Sequence, residues 1–139
     1  HGRCGMGIEG KWFNELGSLM TIEPIGGNVF TGEYQTRVGD AGGIYSVSGQ
    51  TDGDQQSLGW TVGWVNNDKG DFHSVTSWSG QYQTVGGDET ITAMWLLTMD
   101  TASGDDWKST FVGKDVFMRL PPSADIVARA SRAPTSHPG

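Results

Sequence analysis

The stretch HSVTSWSGQY, residues 73–82, has the alternation of side chains that is typical of a β-strand. In an extended strand, Ser74, Thr76 and Trp78 share one face. An exposed face rarely carries an indole, and an ordinary core rarely places two hydroxyl groups beside one. The stretch therefore predicts a strand whose inner face meets something that is partly apolar and partly polar.

Segments of this kind recur along the whole chain and are separated by breaks rich in turn-forming residues. Eight alternating or apolar segments can be marked, at residues 10–15, 18–24, 28–36, 43–50, 57–66, 71–82, 90–100 and 107–119. Most breaks have the length of a hairpin connection, and no stretch keeps a helical period. We predict an all-β fold, an eight-stranded antiparallel up-and-down β-barrel, which removes both sheet edges. Composition leaves an open β-sandwich as the alternative.

Length and composition fit a single β-domain. The chain has 139 residues, and no segment approaches the roughly 18 apolar residues that a membrane helix needs. The net charge of −7 repels nucleic acid and anionic membranes, so neither is an expected partner. We assign residues 10–120 to the barrel, residues 1–9 to an N-terminal extension and residues 121–139 to a flexible C-terminal tail. A short helix at residues 124–131 is the alternative for part of the tail.

Cysteine and histidine usage indicates neither a metal site nor a catalytic centre. Cys4 is the only cysteine, which leaves a free thiol or a bridge between chains. His1, His73 and His137 lack metal-ligand spacing, so no metal is expected. No nucleophile adjoins a base in the sequence, so we do not expect an enzyme. Because the sequence begins at His1 rather than Met, we expect a processed, secreted protein, although a trimmed chain begins the same way.

Several other predicted strands also combine indoles with polar groups on one face. The sets at alternate positions are Trp12, Asn14, Leu16 and Ser18; Tyr34, Thr36 and Val38; Trp60, Val62 and Trp64; and Ala93, Trp95 and Leu97. A buried hydroxyl or amide that finds no partner costs about 1–3 kcal/mol. Inward-facing walls of this mixed kind therefore predict a pocket for a small amphipathic ligand.

Six pieces of the sequence resemble the avidin/streptavidin family of biotin-binding proteins. They are GKWFNELGS, TGEYQTRVGDAG, LGWTVGW, HSVTSWSGQY, MWLLT and DDWKSTFVGKDVF, in the family's order and spacing from about residue 10 to residue 120. Any one piece would be a weak indication, whereas six in order are specific. The resemblance implies a barrel that binds biotin tightly and non-covalently, with no catalysis and no cofactor, and so sequesters the vitamin.

The resemblance implies a set of hydrogen-bonding partners for the ureido ring of biotin. Asn14, Ser18 and Tyr34 match the donors to the ureido oxygen, where three converging donors stabilise negative charge. Asp115 matches the carboxylate that accepts one ureido N–H. Thr36 matches the acceptor of the other N–H, at a position where streptavidin has a serine.

The same resemblance explains the opening stretch. Thr76 matches the hydroxyl near the thioether sulfur of biotin. Ser74, together with the backbone around Asp40, matches the contacts to the valerate carboxylate, and Trp78 matches an indole beside the rings. One strand would thus meet three parts of one ligand.

The apolar wall implied by the resemblance consists of Leu16, Val38, Trp60, Trp78, Trp95 and Leu97. Trp107 matches a tryptophan that each subunit lends to its neighbour's pocket, which implies a homotetramer arranged as a dimer of dimers. Trp64 has no ligand position in this comparison and is interpreted as structural. Trp12 is interpreted as packing at the floor of the barrel.

The family comparison also implies an interface and leaves alternatives for single residues. Lys114 replaces a histidine of streptavidin beside Met94 and Val112 at a two-fold contact, so we expect a weak or rearranged interface there. The tail is long enough to dock on a neighbouring subunit. Taken singly, Asn14 also suits a turn cap, Asp115 an exposed outer face, and the indoles an ordinary core. A lipocalin-like carrier or an inhibitor barrel shares the architecture, although the polar residues argue against it.

Overall fold

The computed structural model describes residues 7–36, 43–65, 74–101, 104 and 109–131. The strands in these ranges are β1 (Gly10–Phe13), β2 (Leu19–Gly26), β3 (Val29–Gln35), β4 (Ile44–Thr51), β5 (Ser57–Gly63), β6 (Ser74–Val85), β7 (Asp88–Met99) and β8 (Thr110–Met118). One helix, α1 (Ala124–Ser131), follows the last strand of this described part. Each predicted strand overlaps one observed strand.

The eight strands form a closed antiparallel barrel in sequence order. Each strand pairs with its neighbours along the chain, and β1 pairs with β8. The connection between β6 and β7 is a two-residue turn, Gly86–Gly87, with φ angles of +58° and +88°. Positive φ at both positions is what the tightest hairpin turn requires, and glycine adopts it without steric cost. The predicted up-and-down barrel is confirmed, and the sandwich alternative is wrong.

The topology divides the barrel into two different ends. The connections after β1, β3, β5 and β7 leave from one end, called here the loop end; these strands finish at Phe13, Gln35, Gly63 and Met99. The connections after β2, β4 and β6 leave from the opposite end, called here the floor end. Asn14, which follows β1, and Tyr34, next to the end of β3, therefore lie close to the loop end.

Alternation sends one set of side chains into the barrel. The largest fully buried ones are Trp12, Met20, Ile22, Phe30, Tyr34, Val47, Val62, Trp78, Ile91, Trp95 and Phe117. A cluster of four residues, called here the floor cluster, covers the floor end: Trp12, Tyr82, Glu89 and Arg119. The Arg119 guanidinium lies 3.8 Å above the Trp12 ring, and Tyr82 donates to Glu89 at 2.8 Å. Trp12 therefore packs at the floor.

The segment after the barrel is partly helical. The Ser123 hydroxyl accepts a hydrogen bond from the backbone N–H of Ile126 at 3.2 Å, which caps the start of α1. A helix thus occupies residues that the preferred interpretation assigned to a flexible tail, and the helical alternative describes them better. Within the described residues, no helix combines the length and the apolar character needed to cross a membrane.

Candidate functional site

Most of the predicted site residues lie together inside the barrel. Ser74 and Leu97 are half-buried, and the others that the structure describes are buried: Asn14, Leu16, Ser18, Tyr34, Thr36, Trp60, Thr76, Trp78, Trp95 and Asp115. Val38, Asp40 and Trp107 lie outside the described residues, as do Cys4 and the three histidines.

Asn14 organises the turn between β1 and β2. Its Oδ1 accepts hydrogen bonds from the backbone N–H groups of Leu16 and Ser18, both at 3.0 Å, and Gly17 supplies a positive φ of +85°. Its Nδ2 donates to the Tyr34 hydroxyl at 3.2 Å. Asn14 is therefore a turn cap and also part of the buried polar group. The turn-cap interpretation of this residue is confirmed, and its contact with a ligand stays a prediction.

Tyr34 is fully buried near the end of β3. Burial raises the pKa of its hydroxyl well above the usual range, and the nearby Asp115 carboxylate raises this pKa further. Hydrogen bonds with Ser18 and Asn14 act in the opposite direction. The phenol therefore keeps its proton at neutral pH and remains available as a donor.

Asp115 is a fully buried carboxylate in the middle of β8. Trp78 Nε1 donates to its Oδ2 at 2.9 Å, across 37 positions of sequence. This burial contradicts the alternative of a solvated residue on the outer face. Because Asp115 acts electrostatically on Tyr34, the carboxylate and the donors occupy one region. We call Asn14, Ser18, Tyr34 and Asp115 the polar cluster.

Trp64 connects this cluster to the predicted sulfur-side hydroxyl. Its Nε1 donates to Thr76 Oγ1 at 2.7 Å, and its ring meets the Tyr34 ring edge-on at 5.5 Å. Tyr45 and Trp78 also contact the Trp64 ring, at 5.0 and 6.3 Å between centroids. Trp64 thus lies among the predicted site residues, although the sequence interpretation gave it a structural role.

Trp60 lies deeper in the barrel. Its ring stacks on Trp78 at 5.5 Å and meets Phe117 edge-on at 5.7 Å. Its buried Nε1 has no hydrogen-bond partner among the described residues. The geometry therefore favours Trp64 rather than Trp60 as the aromatic residue next to the polar cluster. The indication in the sequence was position, because Trp64 directly follows β5 at the loop end.

Trp95 on β7 is paired with Trp78 on the neighbouring strand β6 and with Gly113 on the neighbouring strand β8. The indole fills the space that a side chain at Gly113 would need, since a Cβ there would lie 2.1 Å from Trp95 Cζ2. Leu97 packs against the same core. This glycine is a site-shaping residue that the sequence motifs alone did not single out.

The chemistry of the site is that of hydrogen bonding. Among the described residues, no group of three or more His, Cys, Asp or Glu side chains could hold a metal ion. The polar cluster places neutral amide and hydroxyl groups near a carboxylate acceptor. This arrangement suits a small ring that carries a carbonyl oxygen opposite an N–H group.

Comparisons with known proteins agree with the fold. The family model described as "Avidin family" matches residues 4–120. Avidin of Gallus gallus is 35% identical over 126 residues, which cover 81% of this chain and 78% of the relative. Avidin-related protein 4/5 of the same species is 36% identical over 121 residues, covering 81% of this chain and 77% of the relative.

A bacterial relative is also similar. Afifavidin of Afifella pfennigii is 33% identical over 113 residues, which cover 79% of this chain and 67% of the relative. The family match spans the barrel from before β1 to after β8. With its closed eight-stranded barrel and its matched relatives, this chain belongs to the avidin family.

Proposed function

We propose that the chain binds biotin tightly and non-covalently, without catalysis and without a cofactor. The observation that carries the proposal is the polar cluster: a buried carboxylate, Asp115, beside the buried donors Asn14, Ser18 and Tyr34. These groups already form hydrogen bonds within the protein, as Asn14 does with Tyr34 and Asp115 with Trp78, and they keep further donor and acceptor capacity for a ligand. A cyclic urea offers the complementary carbonyl oxygen and N–H groups.

The donor side of the cluster would bind the ureido oxygen. The Tyr34 hydroxyl accepts from Asn14 Nδ2, so its own proton can point to a ligand. The amide of Asn14 has a second hydrogen, and the Ser18 hydroxyl, which is hydrogen-bonded to Tyr34, would turn its proton to the ligand as a third donor. Because donors that also accept polarise one another, three such groups would stabilise negative charge on the oxygen cooperatively.

The acceptor side would bind the two ureido N–H groups. A carboxylate has lone pairs on both oxygens, so Asp115 can accept a ligand N–H in addition to that of Trp78. Thr36, buried just after β3, would accept the other N–H. A charge-assisted bond to Asp115 would be the strongest single contact of the site.

The remaining contacts would fix the sulfur, the chain and the rings. Thr76 would lie beside the sulfur, and Ser74 with the backbone around Asp40 would bind the tail carboxylate. The wall would consist of Leu16, Val38, Trp78, Trp95 and Leu97, with Trp107 from a neighbouring subunit. To this wall we add Trp64, because it donates to Thr76 and contacts Tyr34, and we reassign Trp60 to the supporting core.

The biological role that follows is extracellular sequestration of the vitamin. The competing candidate is a lipocalin-like carrier of an apolar molecule. The Asp115 carboxylate accepts from Trp78 and has lone pairs left for a ligand N–H, a group that an apolar ligand does not offer. Asp115 therefore favours a ligand with an N–H donor over an apolar one.

Biotin titration tests the proposal through the tryptophans. We expect biotin to change the tryptophan fluorescence and to raise the melting temperature, because a ligand that binds only the folded state stabilises it. Pentanoic acid, which has the tail without the rings, should do neither. Trp64→Phe should weaken biotin binding about tenfold, since the lost ring area and hydrogen bond correspond to about 1.4 kcal/mol. Trp60→Phe is the matched control and should change mainly the melting temperature. Equal responses to biotin and pentanoic acid would contradict the proposal.

We also propose that the chain assembles as a homotetramer, a dimer of dimers. The outer face of β6–β8 exposes a patch of large apolar side chains: Val75, Met94, Leu96 and Val112. Exposed apolar patches of this kind mark interaction surfaces. Docking of the tail on a neighbour remains a prediction; on this chain's own barrel, Ser123 and Ile126 line an outer groove beside Phe13 and Val116.

Lys114 gives the assembly a testable weakness. It is exposed and lies opposite Met94 in the sheet, within the apolar patch. Two ammonium groups near a two-fold axis repel each other, so Lys114→Gln should shift the sedimentation profile toward tetramer at low protein concentration. Lys11→Gln removes an exposed charge from β1 and should leave the profile unchanged. A monomer at all concentrations, with biotin tightly bound, would overturn the tetramer.

A further inference from the structure

The barrel closes with very little backbone pairing between its first and last strands. Within the described residues, β1 and β8 are matched only at Phe13 and Met118. After Phe13 the chain enters the Asn14–Ser18 turn. The β8 residues that precede Met118 therefore have no β1 residue paired with them in the described structure. The region where the Asn14–Ser18 turn lies beside the end of β8 is called here the seam.

A side chain replaces the missing strand at the seam. The backbone N–H of Val116 donates to Glu15 Oε1 at 2.6 Å, across 101 positions of sequence. A short hydrogen bond to a carboxylate is among the stronger kinds that proteins form. Glu15 points to the outside of the barrel, where it lines the outer groove with Phe13 and Val116, while its neighbour Asn14 is buried inside.

This bond connects the two halves of the polar cluster. Glu15 follows Asn14, whose turn also carries Ser18, and Val116 follows Asp115. The Glu15–Val116 bond therefore links the donor side of the proposed site directly to the acceptor side, where strand pairing does not. A ligand that bridges both sides requires their separation to be held within about 0.5 Å.

We propose that Glu15 is a positioning residue for ligand binding: it sets the distance between the ureido-oxygen donors and Asp115 without touching the ligand. The inference rests on the proposed function. Its distinguishing feature is that the effect of Glu15 on affinity passes through Asp115. A merely structural role would lower stability and leave the two residues independent.

The chain offers a matched control on the other side of the Phe13–Met118 pair. Arg119 donates to the backbone carbonyls of Gly7, Glu9 and Lys11 at 2.8, 2.9 and 3.1 Å, and so also ties β8 to the start of the chain. This link involves backbone carbonyls of residues outside the polar cluster. Arg119→Met should therefore lower the melting temperature and leave biotin affinity unchanged.

Calorimetric biotin titration of Glu15→Met and Glu15→Gln tests the proposal. Methionine keeps the length and lacks the acceptor, so we expect affinity to fall about tenfold, the equivalent of one lost hydrogen bond to a charged group. Glutamine keeps an acceptor oxygen and should stay within about threefold of the parent, on the same scale. In an Asp115→Asn background, Glu15→Met should cost less than about threefold, because coupled residues are non-additive.

A second readout requires no ligand. Trp78 Nε1–H donates to Asp115, so its NMR resonance reports the position of that carboxylate. Glu15→Met should shift this resonance, and Arg119→Met should not. If Glu15→Met does not fold, Glu15→Asp replaces it: its shorter carboxylate must strain the seam or release Val116, and either should weaken binding and shift the same resonance.

The outcomes separate the two ideas. A parent protein that does not bind biotin would overturn the proposed function. A parent that binds, with Glu15→Met or Glu15→Asp binding equally well, would overturn the role of Glu15 alone. Positioning would also be contradicted if the affinity losses of Glu15→Met and Asp115→Asn multiplied as they do for independent residues, or if the Trp78 resonance did not shift. Glu15 would then be a contact that serves stability alone.

Discussion

Asp115→Ala will lower the affinity for biotin by about a hundredfold. The proposed contact is a hydrogen bond between a ligand N–H and a fully buried carboxylate, and bonds to charged groups are worth about 1.5–3 kcal/mol. Each 1.4 kcal/mol corresponds to about a tenfold change in the dissociation constant. Alanine also removes the acceptor of Trp78 Nε1, which leaves a second buried donor without its partner. Calorimetric titration with biotin measures the loss.

Asp115→Asn is the control that removes the negative charge and keeps the shape of the side chain. The asparagine amide retains an oxygen that can accept from Trp78 or from the ligand, so the loss should be smaller than with alanine. Its melting temperature should stay near that of the parent, because replacing a buried charge with a neutral group of the same shape removes a desolvation cost. If Asp115→Ala binds biotin as tightly as the parent, the carboxylate is not part of the site.

Gly113→Ala will destabilise the barrel and distort the wall of the site. A Cβ at this position would lie 2.1 Å from Cζ2 and 2.5 Å from Cε2 of Trp95, so the indole must move. Overpacking a well-filled core costs about 1–3 kcal/mol, and the melting temperature falls by roughly 2–8 °C for each 1 kcal/mol in domains of this size range. Biotin affinity should fall as well, because Trp95 belongs to the proposed wall.

Gly26→Ala is the matched control in the same barrel. In the part of the chain that the structure describes, no heavy atom beyond its chain neighbours lies within 4 Å of a Cβ at Gly26, which ends β2 at the floor end. Its melting temperature and biotin affinity should both stay near those of the parent. Calorimetric unfolding of the two variants side by side makes the comparison. Equal melting temperatures would mean that Trp95 can move at no cost, contrary to the packing described.

The strands could be predicted because their information is local. Alternation in segments such as residues 73–82 shows which side chains face inward, and breaks containing Gly86 and Gly87 show where the chain must turn. Closure into a barrel follows from eight strands in sequence order without an unpaired edge. Helix α1 was harder, because a proline-rich, small-residue segment fits both an irregular chain and a capped helix.

The depth of a residue in the barrel could not be predicted in the same way. Trp60 and Trp64 share one face of the predicted strand at residues 57–66, so alternation treats them alike. Register and strand ends decide that Trp64 contacts Tyr34 while Trp60 contacts Phe117. The family motifs indicated the residues of the polar cluster. They did not indicate that Trp64, rather than Trp60, contacts Tyr34.

Contacts between distant parts of the chain were beyond sequence patterns altogether. Glu15 looks like an ordinary turn residue, and nothing near it in sequence indicates that its carboxylate accepts from Val116. Gly113 similarly gains its meaning from Trp95, on the neighbouring strand. Both depend on which strands become neighbours and in what register, which single-strand periodicity does not encode.

The placement of the strand ends has a practical consequence for attachment. β1 begins at Gly10 and β8 finishes at Met118, and both positions lie at the floor end, behind Trp12 and Arg119. A fluorescent protein, a purification tag or a solid support joined directly before β1 or directly after β8 would therefore lie at the floor end. The loop end, where Asn14 and Trp64 lie, would stay uncovered, so immobilised chains should bind biotin as readily as free ones under the proposed function.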